Sequence, residues 1–236
     1  MTVSSDGAPV LGILMLDTRF PRIPGDAGNP STWPFPTRIA VVRGASPERV
    51  VAGRAARLTD SFVASGRDLV AAGATALITT CGFLVLQQRE LAARLPVPFA
   101  ASSLLQLPVL ERALPAGKRP GVITIAAASL ARAHLLAAGA DPDTPVIGVD
   151  PAGEFAQAIL GNRAMLDNAA AEREVLAAGE RLLGIHPDVG AIVLECANMP
   201  PYARSLSARL GLPVHDMVSF GSWFYSGLHP AAFARD

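Results

Sequence analysis

The chain is predicted to be an α/β protein of two similar Rossmann-like lobes, each on a parallel sheet, related by a pseudo-two-fold axis with the active site in the cleft between them. Three observations predict this. Short apolar runs bounded by turn residues alternate with longer segments of helical spacing. Part of the second half repeats the first. Half of the 236 residues are hydrophobic and 17% are charged, which is enough apolar material for a sizeable core.

The apolar runs are Val10–Leu16, Arg38–Val42, Ala74–Thr79, Gly121–Ile125, Val146–Val149 and Gly190–Leu194. They are short and nearly continuous in hydrophobicity, as strands covered on both faces are. Pro47–Ala72 has helical spacing, with Val50, Ala55, Leu58, Phe62 and Leu69 between charged positions. Asn168–Leu183 has Val175, Leu176, Leu182 and Leu183 on one side and Glu172, Arg173, Glu180 and Arg181 on the other. Such alternation implies right-handed crossovers. The Pro/Gly-rich stretch Phe20–Pro36 interrupts it after the first strand, and a loop this long reads as functional, a lid over the cleft. Residues 1–115 are expected to form the first lobe and 116–215 the second, with a C-terminal helix near 216–236 packing back onto the first.

The repeat is specific. Cys81 is followed ten residues later by Leu91-Ala-Ala-Arg-Leu95, and Cys196 ten residues later by Leu206-Ser-Ala-Arg-Leu210. An apolar run precedes each cysteine, and a Pro-Val pair follows each helix, Pro96-Val97 and Pro213-Val214. Ser102 and Ser219 follow at matching distance. The only two cysteines therefore hold equivalent places in the two lobes.

Composition removes several function classes. Twenty basic and twenty acidic side chains leave a formal net charge of zero, so the electrostatic attraction behind most nucleic-acid affinity is missing, as is a polybasic route to anionic lipid. Two cysteines make no disulfide framework. The sole lysine, Lys118, sits in the turn-rich stretch Pro115–Pro120, a poor setting for a Schiff-base anchor, and no Gly-x-Gly-x-x-Gly occurs. No cofactor is expected. The N-terminus lacks the positive region of a signal peptide, and the uncharged run Leu69–Gln88 reads as helix, turn and strand rather than a membrane span. A cytoplasmic protein is expected, with a homodimer suggested by its low charge.

A cysteine at the carboxyl end of a parallel strand faces the crevice where such sheets bind ligands. It also opens the next helix, and that helix N-terminus is expected to lower the thiol pKa and offer N–H groups to an anion. Two thiols on opposite sides of a cleft can take a proton from one face of a carbon and return it to the other. The competing reading is that both are buried structural cysteines.

With these features the chain resembles the aspartate/glutamate racemase superfamily of cofactor-independent enzymes, which includes amino-acid, hydantoin and allantoin racemases, maleate isomerase and arylmalonate decarboxylase. The resemblance spans roughly Val10 to Ser226 and is carried by Thr79-Thr-Cys81-Gly-Phe83 and Glu195-Cys196-Ala-Asn-Met199. It implies that Cys81 and Cys196 are the catalytic acid/base pair and that groups beside them hold a small carboxylate. By position these are Thr80 and Gly82, and Ala197 and Asn198. Asp17-Thr18 stands where many glutamate racemases have Asp-Ser, and would help hold a substrate amine. Those enzymes follow the first cysteine with Asn-Thr and the second with Thr-His. Here the pairs are Gly-Phe and Ala-Asn, so the usual side-chain donors are displaced, and Thr124 could replace one.

Other residues carry two readings. Arg19 and Arg22 either clamp a second carboxylate or are solvated in the loop. Asn29 is a substrate contact or a turn residue. Glu195 either polarises Cys196 or points into a hydrogen-bond network. His215, followed by Asp216, could orient a neighbour. His134, His186 and His229 read as surface or helix positions, and Tyr202 and Trp223 as core or cleft wall. The leading function is racemisation or epimerisation of an amino acid or close derivative. Hydantoin racemisation and a decarboxylase or isomerase of the same superfamily are alternatives. A non-catalytic two-lobe binder of small acids is the alternative from another class.

Overall fold

The computed structural model describes residues 7–51 and 55–231. Its strands form two four-stranded parallel sheets with the same topology. The first contains β1 (Val10–Leu16), β2 (Thr37–Val42), β3 (Ala74–Thr79) and β4 (Phe99–Ala100), in the order β2-β1-β3-β4. The second contains β5 (Arg119–Thr124), β6 (Val146–Gly148), β7 (Val189–Leu194) and β8 (Val214–His215), in the order β6-β5-β7-β8. Even the irregularities repeat: the β1–β3 register shifts between Val10 and Leu11, and the β5–β7 register between Arg119 and Pro120.

The six apolar runs are all strands, two with the same ends and four with ends moved by one or two residues. The short strand β4 lies just after the first Pro-Val pair and β8 begins within the second; two residues carry no periodicity to read. The segment Pro47–Ala72 is not one helix. It contains α1 (Pro47–Arg49), a 3₁₀ turn at Ala55–Leu58 and α2 (Thr59–Ala71), with 52–54 outside the described residues. Ser46 caps α1 by accepting from the Arg49 N–H, and Asp60 lies in the first turn of α2, where a helix dipole favours an acid.

The remaining helices are α3 (Gln88–Arg94), α4 (Leu107–Ala113), α5 (Arg132–Ala137), α6 (Glu154–Leu160), α7 (Asn168–Ile185), α8 (Ala203–Leu210) and α9 (Met217–Leu228). The long α7 starts where Asp167 accepts from the Ala169 and Ala170 N–H groups. Glycines on the pseudo-equivalent helices α2 and α7 let each pack closely on its neighbour, the end of α3 and α8 respectively. A Cβ on Gly66 would lie 2.6 Å from Leu95, and one on Gly179 2.5 Å from Leu206.

One core cluster runs through both sheets and their helices, including Leu14, Phe62, Leu77, Ile123, Phe155 and Leu182. A second lies under α9, where Met217, Phe220 and Tyr225 cover Leu11, Ile13, Ala76 and Ile78 of the first sheet. Asp216 and Ser219 cap α9 reciprocally, so Asp216 serves a helix terminus. His134 lies on a helix as expected, while Trp223 departs from expectation. His134 is buried on α5 with its ring edge-on to Phe83 at 5.4 Å. Trp223 is 66% exposed on α9, stacked on Phe220, because the face of α9 toward the sheet is already filled. Among the described residues no helix is long and apolar enough to cross a membrane.

Candidate active site

Each cysteine lies two residues beyond a central strand. β3 and β7 end at Thr79 and Leu194, and the next residues, Thr80 and Glu195, donate their N–H groups to Leu14 and Ile123 of the neighbouring strand. That carries the chain over the sheet edge and turns Cys81 and Cys196 inward. Both thiols are free, and they line the same cleft between the two lobes. The walls are largely apolar, with Leu16, Phe20, Phe83, Ile125 and Ile159. The polar lining comes from Arg22, Thr80, Glu195 and Asn198. The cavity volume is about 20 Å³, room for about one water molecule.

The thiols are not poised as the sequence suggests. Cys81 precedes a 3₁₀ segment, Gly82–Gln87, rather than an α-helix, and a 3₁₀ turn at Pro200–Tyr202 separates Cys196 from α8. Burial pushes both thiols well above their ordinary pKa, and the negative charge of Glu195 raises them further. The opposing contributions are smaller. Phe83 and Leu84 direct N–H groups at Cys81, with Arg22 nearby, and Asn198 directs its N–H at Cys196. The expected lowering at a helix N-terminus is therefore overturned: desolvation outweighs a few amide dipoles.

Glu195 is the repeat equivalent of Thr80, and the two side chains do related work. Thr80 Oγ1 accepts from the Leu16 N–H at the end of β1 (3.2 Å). Glu195 Oε2 accepts from the Thr124 hydroxyl at the end of β5 (2.7 Å). Glu195 is 1% exposed. Burial raises its carboxyl from the usual 4.5 to about 7, against hydrogen bonds from Thr124 and from the Phe83 and Ile125 amides. Its other oxygen, Oε1, lies against Gly82, and a Cβ on residue 82 would also come within 2.5 Å of the Glu195 carbonyl oxygen. Gly82 is thus a glycine because Glu195 fills the adjoining space.

The loop Phe20–Pro36 covers the cleft. Asp26 is buried and accepts from Arg22 Nη1 (2.8 Å), the Gly28 N–H (2.7 Å) and Asn198 Nδ2 (2.6 Å). Ala27 N–H donates to the Ala197 carbonyl (3.1 Å) and Trp33 Nε1 to the Ala27 carbonyl (3.1 Å). These bonds hold the loop to the segment that follows Cys196. Arg22 lies in the cleft wall with its Nε buried and without a partner.

Of the residues singled out in the sequence, Cys81, Cys196, Thr80, Gly82 and Asn198 line the cleft. Cys196 Sγ lies 3.4 Å from Asn198 Oδ1. Thr124 stands behind the wall as the partner of Glu195, and Ala197 contributes its carbonyl to the loop. Thr18 accepts from Arg22 Nη2 at 3.3 Å. Three candidates stay outside. Asp17 is exposed and accepts from the Gly44 N–H (3.3 Å). Arg19 is exposed, its backbone N–H bonded to Asn162 Oδ1. Asn29 caps the turn Pro30–Thr32 and donates to the Arg22 carbonyl, which shapes the loop. Glu195 and Arg22, each open to two readings in the sequence, also line the cleft, and Asp26 takes part through its pairing with Arg22. The only signal for Glu195 was its place beside a cysteine, and Asp26 gave none. Tyr202 is buried beside α8, its hydroxyl without a partner, and burial raises its pKa.

This two-lobed α/β architecture also occurs in other proteins at low sequence identity. Solved structures that share it include arylmalonate decarboxylase (17% identity, 96% of each chain, TM-score 0.63). Allantoin racemase from Klebsiella pneumoniae matches at 16% identity over 93% of this chain and 87% of its own, with a TM-score of 0.67. Picrophilus torridus aspartate racemase matches at 12% identity, 93% and 94% coverage and a TM-score of 0.56. Similar sequences among curated proteins carry a different name. A dimethylsulfoniopropionate lyase of Durusdinium sp. clade D is 27% identical over 228 residues, 92% of this chain and 74% of its own length. Dimethylsulfoniopropionate lyases 5 and 6 of Emiliania huxleyi (strain CCMP1516) are each 26% identical, and the chain spans about half their length, 46% and 57%. No family model matches the chain.

Proposed function

We propose that the protein is a cofactor-independent enzyme that removes and returns the proton on a carbon next to a carboxylate, with Cys81 and Cys196 as its acid/base pair. The observation that carries this reading is the placement of the chain's only two cysteines, at equivalent positions of a repeat, in the wall of one cleft. One thiolate takes the α-proton and the other thiol delivers a proton to the opposite face, with the roles exchanged for the other enantiomer. Amides of Phe83, Leu84 and Asn198 stabilise the thiolates, and the unpartnered Nε of Arg22 suits a substrate carboxylate. The reaction is racemisation or epimerisation of an amino acid or close derivative.

A second reading shares the first step. The carbanion can instead expel a group from the β-carbon, and the lyase names of the sequence relatives favour this. A thiolate takes the α-proton, the C–S bond of a sulfonium breaks with its electron pair leaving on dimethyl sulfide, and a C=C bond forms. Only one thiol is then required. The test follows ¹H NMR in D₂O with both enantiomers of aspartate and glutamate, a hydantoin, and dimethylsulfoniopropionate. Deuterium at the α-carbon with inversion supports the racemase. Release of dimethyl sulfide supports the lyase. No exchange and no release with any of them would leave a binder and overturn both.

A further inference from the structure

The cleft contains one buried acid that proton transfer between two thiols does not use. Glu195 lines the cavity with both sulfurs, and none of the ion pairs among the described residues includes it. Oε2 is occupied by the Thr124 hydroxyl, while Oε1 lies against Gly82, which itself lines the cavity. The Phe83 N–H serves both this carboxyl and Cys81, which sets the acid beside the first thiol. A buried carboxylate without a cation is costly, and a second negative charge brought next to it is costlier still.

We infer that Glu195 meets the substrate as a neutral carboxylic acid, its Oε1–H donating a hydrogen bond to the substrate carboxylate from the space that a side chain at position 82 would otherwise occupy. The inference rests on the carboxylate reading above. It makes Glu195 a specificity-determining residue: an anion is admitted only with a proton, and the donor comes from the second lobe although its place is beside the first cysteine. Binding of a simple carboxylate then takes up one proton whenever free Glu195 is ionised. Because that carboxyl titrates near pH 7, the uptake falls in an accessible range. The other groups near it are the Cys81 and Cys196 thiols, whose pKa burial raises, the Arg22–Asp26 ion pair, and His134 behind Phe83, whose pKa burial lowers.

The test is the affinity of propionate between pH 5.5 and 8.5, followed by NMR titration of the wild-type protein and of Glu195→Gln. Wild type should bind with a constant Kd at the acid end and lose about tenfold per pH unit above pH 7. Glu195→Gln, whose amide still donates but cannot titrate, should bind with a Kd independent of pH. Dimethylsulfoniopropionate is the comparison ligand: its sulfonium would offset an ionised Glu195 and flatten the wild-type slope. A wild-type Kd for propionate that is flat or tightens with pH, or an unchanged slope in Glu195→Gln, would overturn the assignment and leave the thiol mechanism standing. Absence of propionate binding at every pH in both proteins would overturn the carboxylate reading and this inference with it. Cysteine variants that keep full activity while the slope is present would overturn the thiol reading alone.

Discussion

Asp26→Ala removes the acceptor that ties the loop to the second lobe. Three donors lose their partner at once: Arg22 Nη1, the Gly28 N–H and Asn198 Nδ2, at 2.8, 2.7 and 2.6 Å. The Arg22 side chain is only 9% exposed, so its charge would stay buried without a counter-charge. Breaking a buried pair in this way typically costs about 3–5 kcal/mol. The loop sets a ceiling on that cost, because it can lift and let Arg22 reach water. The expected result is therefore a loss of about 3 kcal/mol, expressed as local opening. The Ala27 N–H, bonded to the Ala197 carbonyl, reports it directly. Its hydrogen-exchange protection should fall by roughly 100-fold, since about 1.4 kcal/mol is tenfold, while amides of β3 and β7 keep theirs. Native-state exchange with mass-spectrometric or NMR readout measures both. Unchanged protection at Ala27 together with an unchanged urea midpoint would refute the claim that Asp26 fastens the loop.

Gly82→Ala should lower stability by about 1–3 kcal/mol, because the new methyl would meet the Glu195 carbonyl at 2.5 Å and the carboxyl beside it; a urea midpoint equal to wild type would contradict the packing. Cys81→Ser and Cys196→Ser should each abolish racemisation yet leave exchange of one enantiomer's α-proton, a different enantiomer in each variant, read as deuterium incorporation; if only one substitution matters, the chemistry is one-sided. Stability should also fall as pH rises from about 4.5 to 7. The folded state holds the Glu195 proton more tightly than the unfolded chain does, so its contribution is complete below 4.5 and lost through 7. The difference is on the order of 3 kcal/mol, and Glu195→Gln should remove that part of the profile in urea titrations at each pH.

The repeat was legible because both copies keep the same sequence marks: an apolar strand, a cysteine, and a Leu-x-x-Arg-Leu helix. Six strands followed from runs long enough to show their burial pattern. β4 and β8 did not, since their pairing with β3 and β7 is decided across the sheet. The cleft residues divide along the same line. Cys81 and Cys196 could be paired by position alone. The ionisation of their thiols could not, because it depends on how much water the folded cleft excludes and on the charge of Glu195. Asp17, Arg19 and Asn29 looked suitable because they are polar and follow the first strand. The chain instead turns Arg22 and Asp26 inward, a choice made by Asn198 more than a hundred residues away.

The placement of α9 has a consequence for synthesis on the ribosome. The first sheet can pair its strands once Ala100 has emerged, but one of its faces is covered by Met217, Phe220 and Tyr225. At roughly 5–20 residues per second, more than a hundred further residues take on the order of ten seconds. During that interval Leu11, Ile13, Ala76 and Ile78 stay uncovered while the second half of the chain is still being made. The nascent first half is therefore the form of this protein most exposed to chaperones and to aggregation. Substitutions in α9 should reduce yield in cells more than they reduce the stability of the finished molecule.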